Sequence, residues 1–185
     1  MPRTALLLGA TGLVGGHVLD RLIEAGAWDR VVTLGRRPMP TVGECHGHHV
    51  VDFDALESRE AGAANERGLF TCDDYFCCLG TTIKTAGSQA AFRRVDHGIP
   101  IEAARLALEG GATQALLVSA LGADPSSRVF YNRVKGETER DLGAAGFESV
   151  VITRPSLLSG DRDEDRLGER VGLAVLGAIE PLMIG

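Results

Sequence analysis

A glycine-rich turn near the start of the chain constrains its fold more than any other feature. The apolar run Thr4–Leu8 leads directly into residues 9–15, which have the pattern Gly-x-x-Gly-x-x-Gly. Leu13–Ala25 has the apolar spacing of a helix, and Gly26 is a stop signal for that helix. A strand, a glycine turn and a helix in this order are typical of a site that binds the pyrophosphate of a dinucleotide.

Each glycine of the turn has a separate predicted task. Gly9 allows the tight turn, Gly12 lets the backbone approach a pyrophosphate, and Gly15 lets the helix pack closely on the sheet. We expect the free N–H groups at the start of the helix to hold the anion. The predicted cofactor contacts of this turn are Gly9, Thr11, Gly12, Leu13, Val14 and Gly15.

Short apolar runs alternate with helical patterns along the rest of the chain. We predict further strands at residues 31–34, 48–51, 75–79, 115–119 and 150–153, and helices at residues 88–108 and 126–145. Such alternation predicts a parallel sheet with right-handed crossovers, and strands that are apolar at every position require helices on both faces. The expected fold is therefore a doubly wound, Rossmann-type α/β domain with three layers, α/β/α.

Length and composition limit the remaining possibilities. The chain has 185 residues, which fits one domain over residues 1–185. Its net charge of −6 argues against a nucleic-acid partner. The apolar stretch at residues 171–185 is too short for a membrane span, and the strand and glycine turn explain the apolar start better than a signal peptide does.

The cysteines and histidines favour a reducing compartment and no metal. The chain has four cysteines and no Cys-x-x-Cys pair, which is typical of free thiols in a cytoplasmic protein. Cys45 lies beside His46, His48 and His49, but structural zinc sites usually have paired ligands at two separate places. We therefore predict a cytoplasmic protein without a metal site.

The end of the second predicted strand indicates which cofactor is bound. An NAD site usually has an acidic residue there for the ribose 2′-hydroxyl, whereas this chain has Arg36 and Arg37. Guanidinium groups bind phosphate in a bidentate manner, so the sequence predicts NADP(H) rather than NAD(H). Asp52 and Phe53 follow the third strand, where we expect them to meet the adenine.

A Ser-Tyr-Lys set provides the candidate catalytic residues. Tyr131 and Lys135 lie four residues apart and hence on one face of a helix, and Ser119 ends the strand before it. A tyrosine phenol is protonated at neutral pH, and a nearby ammonium group stabilises the phenolate. Tyr131 is then suited to exchange a proton with a substrate oxygen that Ser119 also binds, while Lys135 also contacts the cofactor.

With these residues in hand, the chain resembles the short-chain dehydrogenase/reductase superfamily in its atypical or extended branch. More closely, it is similar to the group around a Tat-interacting protein and its bacterial relatives, which implies NADPH on Arg36 and Arg37. The resemblance also implies a cofactor-facing loop at Leu79, Gly80 and Thr81, and a nicotinamide-side loop at Pro155, Ser156 and Leu157. The similar segments are residues 78–82, 86–92, 95–96, 118–123 and 131–137.

The extended branch normally carries a sizeable substrate domain near its C-terminus. This chain ends at Gly185, so we expect a minimal or truncated substrate region after about residue 155. The predicted function is an NADP-dependent oxidoreductase that acts on an unidentified carbonyl or alcohol. Two alternatives stay open: an NADPH-binding sensor or scaffold with little catalysis, and an enzyme like the sugar-nucleotide epimerases or dehydratases. The sequence leaves a homodimer or a protein partner equally open.

Overall fold

The computed structural model describes residues 2–54 and 68–155, which are built around one parallel sheet. The sheet has six strands in the order β3-β2-β1-β4-β5-β6, and every neighbouring pair is parallel. This order is that of a doubly wound dinucleotide-binding fold, so the predicted fold class is confirmed. The strands are β1 (Thr4–Leu8), β2 (Arg30–Gly35), β3 (His46–Val50), β4 (Asp74–Cys77), β5 (Gln114–Val118) and β6 (Ser149–Thr153).

Helices connect the strands and cover both faces of the sheet. The first, α1, ends at Gly26, whose left-handed φ of 60° closes the last turn. Ser88 caps α3 by accepting a hydrogen bond from the Ala91 N–H, and a π-helical turn at Arg94–Gly98 joins α3 to α4. The helices are α1 (Leu13–Ala25), α2 (Ile83–Ala86), α3 (Gln89–Arg93), α4 (Ile99–Glu109) and α5 (Phe130–Gly143), and a 3-10 turn spans Gly68–Phe70.

Alternate residues of the strands divide the core into two layers. In β1, Leu6 and Leu8 belong to one apolar cluster, which also contains residues of α4 and α5. Ala5 and Leu7 belong to the other, which contains buried residues of α1. All five residues of β1 are buried, which is the burial expected of a central strand with helices on both sides.

Two helical segments differ from the sequence prediction. Helix α5 begins at Phe130 rather than at residue 126, because the Asp124 carboxylate accepts hydrogen bonds from the backbone and hydroxyl of Ser126. Local bonds of this kind compete with helix formation. The helix predicted at residues 88–108 is instead divided into α3, the π-helical turn and α4, and Pro100 lies in the first turn of α4.

Within residues 2–54 and 68–155, no helix combines the length and the apolar character that crossing a membrane requires.

Candidate functional site

The carboxyl ends of all six strands lie at one edge of the sheet, and the loops that follow them form the candidate site. Strand β1 lies between β2 and β4, so the chain leaves the sheet centre in opposite directions on its two sides. Ligands of doubly wound folds bind at this edge, outside the point where the strand order reverses. The loops after β1, β2 and β4 begin at Gly9, Arg36 and Cys78, respectively.

The glycine turn after β1 is tightly packed at two positions and open at the third. Gly9 has a left-handed φ of 88°, and a Cβ there would lie 2.6 Å from the carbonyl carbon of Cys78. A Cβ on Gly15 would lie 2.0 Å from the Gly9 oxygen, whereas one on Gly12 would meet only that oxygen, at 3.4 Å. The protein itself therefore requires Gly9 and Gly15, but Gly12 leaves space that a ligand can fill.

A pocket of about 410 Å³ opens above this turn. Its size falls within the range of roughly 300–1,000 Å³ that is typical of small-molecule sites. Its lining includes nine of the predicted cofactor contacts: Gly9, Thr11, Gly12, Arg36, Arg37, Phe53, Leu79, Gly80 and Thr81.

Several predicted contacts lie outside this lining. Gly15 is buried beneath the turn, Leu13 and Val14 belong to the first turn of α1, and the Asp52 carboxylate accepts a hydrogen bond from the Asp54 N–H. The candidate catalytic residues Ser119, Tyr131 and Lys135 are also absent from the lining.

The side chains of Arg36 and Arg37 give the pocket a positive rim. Both residues are exposed and both line the pocket where β2 ends. Guanidinium groups bind phosphate through several parallel hydrogen bonds. The arrangement suits an anionic group on the part of a ligand that lies beside β2.

Lys135 forms a buried ion pair with Asp96. The Lys135 ammonium nitrogen lies 2.7 Å from Asp96 Oδ1, and the two side chains are only 8% and 0% exposed. Asp96 Oδ2 also accepts a hydrogen bond of 3.0 Å from the Thr81 N–H. Burial raises the pKa of Asp96, while the Lys135 ammonium and the Thr81 N–H act in the opposite direction.

The ion pair brings Lys135 to the loop after β4, next to the pocket. A Cβ on Gly80 would lie 3.8 Å from both Asp96 Oδ1 and the Lys135 ammonium nitrogen. The sequence analysis predicted that Lys135 acts on Tyr131 and contacts the cofactor, and it gave Asp96 no role. Val95 and Asp96 form one of the segments that resemble the family, and this was the available sign that Asp96 has a role. Nothing in the segment identifies the partner of the Asp96 carboxylate.

Tyr131 and Ser119 lie beyond this ion pair. Tyr131 is half-buried in the first turn of α5, and its ring centroid lies 5.5 Å from that of Phe92. Ser119 is 6% exposed, and its N–H donates to the Thr153 carbonyl. In the described part of the chain, the Ser119 hydroxyl has no hydrogen-bond partner, which is unusual for a buried polar group.

The loop after β6 is tied to the loop after β5. The Leu121 N–H donates to the Pro155 carbonyl at 3.1 Å, and Arg154 forms an ion pair with Glu139 of α5. Pro155 is thus held beside the Ser119 loop. The predicted contacts Ser156 and Leu157, and the substrate region expected after about residue 155, lie outside the described residues.

The histidines near Cys45 are engaged in hydrogen bonds. Both His46 and His48 contact the Thr33 hydroxyl, each at 2.8 Å. In the two described ranges, no group of three or more His, Cys, Asp or Glu side chains is placed to hold a metal ion.

Comparison with known proteins identifies the family. No family model matches the chain. A protein of Aspergillus clavatus named "Protein fmp52, mitochondrial" is 37% identical over 163 residues, which is 88% of this chain and 70% of that protein. The chain belongs to the FMP52 family. A second member, from Debaryomyces hansenii, is 36% identical over the same share of both chains.

Solved structures with similar coordinates confirm the fold. A short-chain dehydrogenase from Burkholderia cenocepacia in complex with NADP has a TM-score of 0.69 at 17% identity, over 97% of this chain and 84% of that one. MoeE5 in complex with UDP-glucose and NAD has a TM-score of 0.65 at 18% identity, over 82% of this chain. The match covers only 53% of MoeE5, so this chain is similar to about half of it.

The names of the relatives correct the predicted location. Several FMP52 proteins are named mitochondrial, so the prediction of a cytoplasmic protein is wrong. It rested on unpaired cysteines, which distinguish reducing from oxidising surroundings but not one reducing compartment from another. The finer resemblance to the Tat-interacting protein group stays a prediction.

Proposed function

We propose that this protein is an NADP(H)-dependent oxidoreductase that acts on a carbonyl or alcohol group. One observation carries the proposal. A single pocket joins the open glycine turn to Arg36 and Arg37 on one side, and to Gly80 beside Lys135 on the other. A ligand with a pyrophosphate near its middle and a further phosphate at one end fits this distribution of groups.

The residues divide into those that hold the cofactor and those that act on the substrate. Gly9, Thr11 and Gly12 would hold the pyrophosphate, and Arg36 and Arg37 the 2′-phosphate. Phe53 of the pocket lining offers an apolar surface to the adenine. When bound, NADPH supplies the hydride for the reduction.

The chemistry assigned to the chain's own residues is proton transfer. Tyr131 exchanges its phenolic proton with the substrate oxygen, and the Ser119 hydroxyl, which has no partner among the described residues, donates a hydrogen bond to the same oxygen. The Lys135 ammonium stabilises the charge that Tyr131 develops. We further propose that residues 1–185 form one cofactor-binding domain whose substrate region follows about residue 155.

Cofactor titration tests the first half of the proposal. Wild type should bind NADPH at least about 10-fold more tightly than NADH, because hydrogen bonds to charged groups contribute roughly 1.5–3 kcal/mol each. Replacing Arg36 and Arg37 together by Ala should remove most of this preference, whereas Arg21→Ala, an exposed control on α1, should keep it. Equal affinity of wild type for the two cofactors would refute the cofactor assignment.

Turnover of a carbonyl panel tests the second half. Tyr131→Phe keeps the ring beside Phe92 and removes the proton donor, so the rate of NADPH oxidation should fall roughly 10²–10⁴-fold. NADPH affinity should change little. Ser119→Ala should lower the rate and also leave affinity unchanged, since it removes one hydrogen bond to the reacting oxygen. A Tyr131→Phe enzyme that works like wild type would exclude Tyr131 as the acid.

The Lys135–Asp96 ion pair favours a second candidate, an NADPH-binding sensor. A carboxylate 2.7 Å from the ammonium offsets its charge, which weakens the support that Lys135 gives to a phenolate. Tight NADPH binding without oxidation by any aldehyde, ketone or quinone, together with altered binding to another protein, would favour the sensor. Turnover that depends on Tyr131 would exclude it.

A further inference from the structure

A chain of hydrogen bonds connects β2 and β3 to the backbone between them. The Thr33 hydroxyl on β2 lies 2.8 Å from both His46 Nε2 and His48 Nδ1 on β3. At one end, His46 Nδ1 lies 2.9 Å from the Val42 nitrogen. At the other end, His48 Nε2 lies 2.9 Å from the carbonyl oxygen of Arg37.

For neutral imidazole rings, the two end groups determine the direction of every bond. The Arg37 carbonyl only accepts, so His48 Nε2 carries the hydrogen and His48 Nδ1 accepts from the Thr33 hydroxyl. The Val42 N–H only donates, so His46 Nδ1 accepts and His46 Nε2 donates to Thr33. One arrangement with two neutral imidazoles therefore satisfies all four bonds.

The chain of bonds ends at the residues that form the positive rim of the pocket. Thr33 is fully buried and His46 is 6% exposed, while His48 lines the pocket together with Arg36 and Arg37. A Cβ on Gly35 would lie 3.1 Å from His48 Cε1, so the glycine before Arg36 leaves room for the ring. The buried end is fixed by the sheet register, in which Thr33 pairs with His48.

We infer that His48 is a positioning residue for recognition of the ligand's 2′-phosphate. It transmits the fixed position of Thr33 and His46 to the Arg37 carbonyl, and so holds the Arg36–Arg37 backbone where both guanidinium groups reach one phosphate. Preorganised groups bind more tightly because less freedom is lost on binding. The inference rests on the proposed NADP(H) site and names the residue that sets its selectivity.

The test compares two small probes, adenosine 2′,5′-bisphosphate and adenosine 5′-monophosphate, by calorimetry. Wild type should prefer the bisphosphate, and His48→Leu should reduce that preference at least about 5-fold, while affinity for the monophosphate stays within about 2-fold. His48→Gln retains an N–H that reaches the Arg37 carbonyl and should rescue most of the preference. His49→Leu, outside the chain of bonds, should keep it.

The outcomes separate this inference from the proposed function. If wild type binds both probes equally, the NADP(H) assignment fails. If wild type prefers the bisphosphate and His48→Leu retains that preference, the role of His48 is refuted while the NADP(H) site stands. Long-range ¹⁵N–¹H spectra of wild type provide a second measurement if His48→Leu does not fold. They should show the Nε2–H tautomer for His46 and His48, and an Nδ1–H tautomer of His48 would also overturn the inference.

Discussion

At the scale of single residues, the glycine turn contains one position where a side chain should block ligand binding and another where it should destabilise the fold. Gly12 has φ −86° and ψ 164°, which any residue adopts. We expect Gly12→Val to keep the free energy of unfolding within about 0.5 kcal/mol of wild type and to abolish NADPH binding. Gly15→Ala should instead lower the free energy of unfolding by about 1–3 kcal/mol or more, because its Cβ would meet the Gly9 oxygen at 2.0 Å. Urea denaturation and fluorescence titration measure the two effects.

The neighbouring Gly16 is the control for these two variants. A Cβ there would lie 3.6 Å from the Ala10 oxygen, an ordinary contact. Gly16→Ala should therefore bind NADPH like wild type and gain up to about 1 kcal/mol of helix propensity. NADPH binding by Gly12→Val with unchanged affinity would mean that the turn has only a structural task.

Residue-level chemistry was predictable where it depends on neighbours in sequence. The roles of Gly9 and Gly15 follow from their spacing, and the structure explains both by close backbone approach. The bonds of His46 and His48 to Thr33 were missed, although residues two apart on a strand share a face. Their partner lies on the neighbouring strand, and a single sequence does not give the register that brings them together.

At the scale of elements, Asp96 links three separate segments. It lies in the π-helical turn before α4, pairs with Lys135 of α5 and accepts a hydrogen bond from Thr81 after β4. Removing one member of a buried pair typically costs about 3–5 kcal/mol, whereas removing both costs less. Asp96→Asn and Lys135→Met should each lower the free energy of unfolding by several kcal/mol, and the double variant by clearly less than their sum.

An exposed ion pair on α1 is the matched control for this cycle. The side chains of Arg21 and Glu24 are 46% and 62% exposed, so Glu24→Gln should change stability by less than about 1 kcal/mol. Urea denaturation of wild type, the two single variants and the double variant gives the coupling energy between Asp96 and Lys135. Strict additivity of the two single effects would show that the buried charges do not stabilise each other.

Element boundaries were predicted best where apolar periodicity determines them. Helix α1 was predicted with its observed ends, because the glycine turn and Gly26 mark both. Strand β3 begins at His46 rather than at residue 48, since its polar sequence gives no apolar signal. The late start of α5 depends on side-chain bonds of Asp124 and Ser127 that compete with the helix.

At the scale of the whole molecule, the alternation of strands and helices was enough to predict the fold class. Right-handed crossovers and fully apolar strands leave few alternatives to a doubly wound sheet. The strand order also places all candidate loops at one edge. Contacts between loops, such as the bond from Leu121 to Pro155, depend on packing between segments distant in sequence, and no local pattern predicts them.

The common direction of the strands predicts at which edge of the sheet a bound ligand slows amide hydrogen exchange. NADP⁺ at about 100 times its Kd should raise the free energy of unfolding by about 2.7 kcal/mol, so β1 amides that exchange only by global unfolding slow about 100-fold. Residues 9–15 should gain protection through direct contact. Residues 26–29 and 110–113 lie at the opposite edge of the sheet, so amides there that exchange by local opening should keep their exchange rates.

Exchange measured by mass spectrometry, with Gly12→Val as the control, tests this prediction. The variant has the same sheet and the same loops at the opposite edge, so its exchange should not depend on NADP⁺ at any of these segments. If NADP⁺ protects residues 110–113 of wild type and leaves residues 9–15 unchanged, the ligand binds at the amino ends of the strands. The glycine turn and the arginine rim then have no part in binding, because they lie on the other side of the sheet.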